Sequence, residues 1–428
     1  MPDRRPQLLF LCHRIPFPPE KGDKIRSYQW WSALVEHFRV HLGAFIDDPA
    51  DWAHVGMLGA RCASSFFLPL PRIGATLRSL SGFLGGTALT LPYYRDARMR
   101  RWVEQLRTSN DLQHVLVFSS AMGQYVEGTG WSAVRRVIDF VDVDSDKWSQ
   151  YAQTRPWPVS WVYRREAVRL AQEEARLARD CAAGVFVSDQ EAALFRERNT
   201  VPGQRVCAIR NGVDTSYFRP TPGCPSPFPV DREAVVFTGA MDYWANVDAV
   251  QWFVREVWPK VRAQRPRALF AIVGARPSSA TVALGCRDIL VTGRVPDVRP
   301  FLQAATVVVA PMRVARGIQN KVLEGMAMGR PVVLTSRALE GIAAIPGRDL
   351  RLADEPGALA DAILAILATG DAGMGARARA LVEKEYDWGA SAQALIALLL
   401  GHDGEASRPA GRAIATGPPR PDRGQQGL

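Results

Sequence analysis

"ARGIQNKVLEGMAMGRPVVLTS", residues 315–336, follows the apolar run "ATVVVAP" (305–311). A short continuous apolar run of this kind reads as a buried strand. After it come Arg313 and Arg316, then Lys321 and Glu324, then the stop Gly329-Arg330-Pro331. Glycine ends a helix and proline blocks its resumption, so the pattern predicts a helix over 319–328. Lys321 and Glu324 are three positions apart and share a face with Gly317 and Met328, while Val322, Leu323 and Met326 turn toward a sheet. Free amides and the dipole at the helix start, joined by Arg313, Arg316 and Lys321, make an anion site. Gly317 lets a phosphate come close to the backbone. Glu324, one turn deeper, can accept hydrogen bonds from two adjacent hydroxyls such as those of a ribose. Cations outside and a carboxylate inside match a nucleoside diphosphate. The competing reading is a surface Lys–Glu pair, worth about 0.5 kcal/mol or less.

Working outward, the same alternation of strand and helix recurs on both sides. Toward the N-terminus, "QLLFLC" (7–12), "VHLGAF" (40–45), "HVLVFSS" (114–120), "RRVIDFV" (135–141) and "AAGVFVS" (182–188) read as strands. "SYQWWSALVEHF" (27–38) and "VYRREAVRLAQEEARLARDC" (162–181) read as helices. The proline-rich "TPGCPSPFPVD" (221–231) is the best linker, and beyond it "EAVVFTGA", "ALFAIVGA" and "DILVTGRV" restart the pattern. The expected fold is α/β, with two doubly wound, Rossmann-like domains facing a cleft. Residues 1–220 form an acceptor-side domain and 221–385 a donor domain. A terminal helix covers 386–401, and 402–428 is a tail too poor in large apolar residues to order itself.

A chain of 428 residues suits two cores better than one. With 47% hydrophobic and 22% charged residues it has a globular composition. No apolar run reaches the ~18 residues a membrane span needs. "LLFLC" is too short for a signal sequence, so the expected location is the cytoplasm. The six cysteines and six histidines are scattered, with no CxxC pair. This pattern predicts reduced thiols, no disulfide frame and no metal site. The formal charge is +10. Part of it lies in residues 61–107, where eight arginines meet only Asp96 and Glu104 among Phe66, Phe67, Phe83, Tyr93, Tyr94 and Trp102. An anionic membrane surface is one partner for such a segment, and a solvated helix face over core aromatics is the bland reading.

Two further stretches face the predicted cleft. In "RIPFPPEKGDKIRSY" (14–28) Gly22 permits close approach, and Lys21, Lys24 and Arg26 lie near a helix start. "IDFVDVDSDKW" (138–148) sets Asp142, Asp144 and Asp146 at a strand end. Alternate aspartates share a side of an extended chain, where they would bind acceptor hydroxyls or act as a base.

"KVLEGMAMGRPVV" closely resembles the second half of the nucleotide-sugar signature of retaining glycosyltransferases of family 4, which have the GT-B fold. "IRNGVDTSYF" (209–218) and "VFTGAMDYWANVDAVQWF" (236–253) are similar to further segments of that family. "CHRIPFPPEKGDKIRSY", "DFVDVDSDKW" and "ARGIQNKVLE" resemble the subgroup associated with PEP-CTERM/exosortase exopolysaccharide systems. The resemblance spans roughly residues 7–395. It implies that Gly239, after the first donor-domain strand, lies against the donor. The first Glu of the family's two-Glu pattern falls at Arg316, and the loop "GAMDYWAN" lacks the family's cation pair. The diphosphate charge then rests on Arg313, Arg316 and Lys321.

The resulting expectation is transfer of a sugar from a nucleoside-diphosphate sugar to a glycan or polyprenyl-linked acceptor, without a cofactor, at or near the inner membrane face. Arg316, Lys321 and Asp142 carry the catalytic roles. Gly22, Gly239, Arg313, Gly317 and Glu324 hold the donor, and Asp144 and Lys24 face the acceptor. A nucleotide-sugar 2-epimerase of the same fold is the alternative. A basic nucleic-acid binder is a weaker one, because it leaves 315–336 unexplained.

Overall fold

The computed structural model describes residues 4–19, 22–109, 111–199, 205–315 and 317–402. Arg316, and the tail beyond His402, therefore lie outside the described residues.

The first sheet has seven strands: β1 (Gln7–Cys12), β2 (Arg39–Ile46), β3 (Ser64–Pro69), β4 (Leu112–Phe118), β5 (Arg135–Val141), β6 (Ala183–Phe186) and β7 (Val206–Ala208). They lie in the order β3-β2-β1-β4-β5-β6-β7 and every pairing is parallel. Parallel strands are covered on both faces, which explains why "QLLFLC" is apolar throughout. Leu9 and Leu11 enter one core cluster, and Leu8, Phe10 and Cys12 the cluster on the other face.

The second sheet holds β8 (Glu233–Thr238), β9 (Ala268–Val273), β10 (Ile289–Gly293), β11 (Val307–Ala310), β12 (Val332–Leu334) and β13 (Arg351–Leu352), ordered β10-β9-β8-β11-β12-β13 and again parallel. The expected strands all form. β3, β7 and β13 escaped notice because they are half-buried edges or only two or three residues long. Between β8 and β9 the helical stretch from Trp244 to Gln264 is interrupted by a π-helical stretch, Phe253–Val257, just before Pro259. Proline cannot donate to the ladder, so the helix turns there.

The last helix, Trp388–Leu400, does not stay with the second sheet. It packs Trp388, Leu395, Leu398 and Leu399 into the first domain's core, with Trp388 edge-on to Trp30 at 5.3 Å. Arg135 donates to its Leu398 carbonyl at 2.7 Å. The returning chain is pinned to the outgoing one where Val213 bridges Asp387.

In each sheet the chain winds one way and then the other, so the order reverses between β1 and β4 and between β8 and β11. Ligands of open parallel sheets bind at the carboxyl ends of strands flanking such a reversal. Three described non-glycine residues have positive φ, and all sit at the carboxyl ends of strands: Ser119 after β4 (φ 77°), Val141 closing β5 (φ 70°) and Arg276 after β9 (φ 55°). A β-branched residue rarely adopts this conformation, and such strain collects at functional sites.

Candidate functional site

The Asn320–Ala327 helix starts beyond β11 and buries Val322, Leu323, Met326 and Ala327 on the sheet. The same phase brings Lys321 toward the end of β8. Its ammonium donates to Asn246 Oδ1 at 2.9 Å and lies 5.2 Å from the Phe237 ring. Gly239 completes this corner. A side chain on it would meet the Asn246 amide at 2.7 Å and come 3.4 Å from Lys321 Cε. A side chain on Gly274 would strike the Gly239 carbonyl at 1.8 Å, so two strand ends touch backbone to backbone. Glu324 lies one turn past Lys321 and forms no hydrogen bond or ion pair among the described residues, although it senses the Lys321 charge. Buried polar atoms without a partner collect at the strand ends: His13 Nδ1 after β1, Ser120 Oγ after β4, and Thr238 Oγ1 closing β8. Asn320 Oδ1, at the helix start, is another.

Burial lowers the Lys321 pKa to about 8, against the pull of Glu324. Burial raises Glu324 to about 7, partly offset by Lys321. The unfolded chain has ordinary values of 4.5 and 10.5. Between about pH 4.5 and 7 the folded protein holds the Glu324 proton more tightly, so this group adds stability as pH falls. Between about pH 8 and 10.5 the unfolded chain holds the Lys321 proton more tightly, so that contribution grows as pH rises. Denaturant midpoints followed against pH should show Glu324→Gln losing the acid-side gain and Lys321→Met losing the alkaline-side gain. Parallel profiles in all three proteins would refute this.

Across the cleft, Val141's left-handed turn aims Asp142 at the donor side. A side chain placed on Gly317 (φ 65°) would lie 3.8 Å from Asp142 Oδ1. The aspartates are not aligned along an extended strand, as the sequence had suggested. Asp144 and Asp146 already belong to the Asp144–Gln153 helix, and Asp146 is buried and pairs with Arg198. That helix turns Lys147 back so that its ammonium bridges Asp142 (2.7 Å) and Asp144 (3.1 Å). Burial opposes the charge on Lys147, but Asp144 and Asp142 outweigh it and hold the pKa above its ordinary value. Sequence reading missed Lys147, although its i,i+3 spacing from Asp144 was visible. Tyr243, from the donor side, senses Tyr151, Lys147 and Asp142.

The remaining expectations fare differently. Arg313 is half-exposed and its guanidinium forms a two-pronged pair with Asp248 (Nε–Oδ2 3.0 Å). Gly22 opens the Gly22–His37 helix, and a side chain there would meet nothing within 4 Å, so the position does not require glycine. Lys24 is buried against Asp51. It lines a small cavity between the domains together with Arg14, Arg72, Arg276 and Arg294. Arg276 joins Asp242 at 3.1 Å and approaches Asp48 of the first domain at 3.9 Å. Arg26 is not a ligand-facing cation. It is fully buried and grips Asp139 (2.7 Å), the Ile209 carbonyl (2.8 Å) and Asn211 (2.9 Å).

Residues 232–369 match the family model described as glycosyl transferases group 1. None of the curated proteins matches the chain. Among solved structures, sucrose-phosphate synthase from Thermosynechococcus elongatus is similar at a TM-score of 0.68 and 19% identity, over 93% of this chain and 99% of that one. Anabaena Alr3699/HepE, in complex with UDP and glucose, aligns at 0.65 and 15% identity over 93% and 100%. WaaG, a glycosyltransferase involved in lipopolysaccharide biosynthesis, aligns at 0.64 and 15% identity over 92% and 100%. The two facing parallel-sheet domains are the GT-B fold shared with these structures.

Proposed function

We propose that this glycosyltransferase moves a sugar from a nucleoside-diphosphate sugar to a glycan or polyprenyl-linked acceptor, with retention of configuration. A family 4 identity rests on the motif resemblance at 209–218, 236–253 and 321–333, and a place in exopolysaccharide biosynthesis of the PEP-CTERM type on that at 12–28, 139–148 and 315–324. Work at an anionic membrane surface follows from the lipid-linked acceptor.

One observation carries the reading: a semi-buried ammonium, Lys321, is fixed by Asn246 and Phe237 with an unpaired carboxylate one turn deeper. The donor diphosphate takes Lys321 as its counter-charge, the sequence offers Arg313 and Arg316 as further cations for it, and Glu324 receives donor hydroxyls. Charge that builds on the leaving diphosphate is met by a group already in place, which is commonly the largest catalytic term. Gly239 and Gly317 leave room for the donor backbone contacts. Asp142 and Asp144, their charge balanced by Lys147, face the acceptor.

A panel of nucleotide sugars, with UDP-glucose first, should include one that raises the melting temperature, because a ligand bound only by the fold stabilises it. At a concentration 100 times its Kd the gain is about 2.7 kcal/mol. The same donor with an acceptor should yield an anomerically retained product. Consumption of the donor without any acceptor, giving its 2-epimer, would show an epimerase instead. No shift with any nucleotide sugar would remove the donor assignment.

A further inference from the structure

The aromatic residues of the basic segment are not the exposed ones. Phe66 stacks on Trp102 at 5.4 Å, and Tyr93 and Tyr94 pack with them on the first core. What faces water is a different set. Along the helices Arg72–Ser79 and Ser81–Leu84 the exposed large residues are Ile73 (81%), Leu77 (64%), Leu80 (51%) and Leu84 (94%). Their spacing of four, three and four is the stripe of an amphipathic helix. Here the polarity is reversed, because small residues, Ala75 and Gly82, face the protein and the large apolar ones face out.

The stripe is fixed beside the start of a long helix, Val159–Asp180. Phe83 stacks on Trp161 at 6.1 Å, and Arg165 lies over Phe83 at 4.8 Å while donating to the carbonyls of Gly82 and Thr87. Glu166 receives the amides of Leu89 and Thr90. Trp157 (79% exposed) and Trp161 (53%) therefore extend the apolar face.

Charge selects what covers it. Residues 70–95 contain no Asp or Glu, and residues 155–171 contain only Glu166, which is buried. The arginines here, Arg72, Arg78, Arg95, Arg155, Arg164, Arg165 and Arg169, have no ion pair within 4 Å among the described residues. Several are steadied by neutral oxygens instead, Arg78 by the Tyr93 carbonyl and Arg169 by Gln172. Protruding apolar side chains in segments whose arginines make no ion pair fit neither a basic nor a neutral partner.

We infer that the Arg72–Leu84 stripe, with Trp157 and Trp161, docks onto an anionic phospholipid bilayer. Arg72 also lines the cavity between the domains, so docking sets the acceptor side of the cleft at the lipid surface. This last link rests on the proposed transfer to a lipid-linked acceptor, whereas the docking itself does not.

The full chain should co-sediment with vesicles of phosphatidylglycerol and phosphatidylcholine, much less with phosphatidylcholine alone, and less in high salt. Ile73→Glu with Leu84→Glu should weaken binding more than about tenfold. Arg155→Glu with Arg169→Glu should weaken it by at least about fivefold. None of these four side chains belongs to the donor corner, so the melting shift with a nucleotide sugar should persist. Vesicles should also protect amides of 72–85 from hydrogen exchange in the unaltered protein, a readout independent of any variant. No binding to anionic vesicles, equal binding by the variants, or unprotected 72–85 amides would overturn the assignment. A dimer lost on Leu84→Glu without vesicle binding would give the face to a second copy of the chain. Because the vesicle assay contains no donor or acceptor, its failure is separate from failure of the transferase reading.

Discussion

Lys321→Met is expected to reduce sugar transfer by about two to three orders of magnitude, the usual cost of removing one fixed donor from a developing anion. Methionine keeps a stem of similar length against Phe237 and removes the charge together with its hydrogen bonds to Asn246 and the Met312 sulfur. The loss should fall on kcat more than on KM for the acceptor, because the ammonium meets charge that grows in the transition state. Stability should move the opposite way. Burial disfavours the protonated amine, as its pKa of about 8 shows, so the ligand-free variant should melt higher near neutral pH. Sites that bind charge commonly show this trade between stability and function. Initial rates and melting curves on the same preparations decide it. A variant that melts lower and transfers at the normal rate would make Lys321 a structural residue.

The largest effect on folding should come from Asp139→Ala. Asp139 is fully buried and accepts hydrogen bonds from Arg26, from Trp30 Nε1 at 2.7 Å and from the Val141 amide at 3.0 Å. Its loss leaves the Arg26 guanidinium buried without a counter-charge, which costs about 3–5 kcal/mol. It also frees the strained turn at Val141 that aims Asp142. Arg26→Met should cost a similar amount. The double variant Arg26→Met with Asp139→Leu should recover much of the loss, since apolar replacement of a whole buried pair is often near neutral. Urea denaturation of the unaltered protein, Arg26→Met, Asp139→Leu and the double variant gives the coupling. Additive losses in the double variant would show that the pair is not the stabilising unit.

Two positions show what periodicity can and cannot reveal. Arg26 reads as one more basic residue of "EKGDKIRSY", yet helical phase turns it inward, onto an Asp139 that lies 113 residues away. No local pattern announces such a partner. Lys147 was passed over for the same reason: its role depends on the chain leaving β5 into a helix at Asp144, not on alternation along a strand. The exposed stripe at 73–84 was hidden by the aromatics around it, because only tertiary packing tells which apolar side chains are covered.

Sequence alone determined the two α/β halves, the strands flanking each reversal and the short helix that carries Lys321 and Glu324 one turn apart. These follow from local rules, since apolar period, glycine and proline stops and helix phase act over a few residues. Tertiary structure decided that the last helix returns to the first domain, that Arg26 braces Asp139, that Asp142 lies against Gly317, and which face carries bare leucines. Each of those is a meeting of residues far apart in the chain, settled by which surfaces bury one another and which charges find counter-charges.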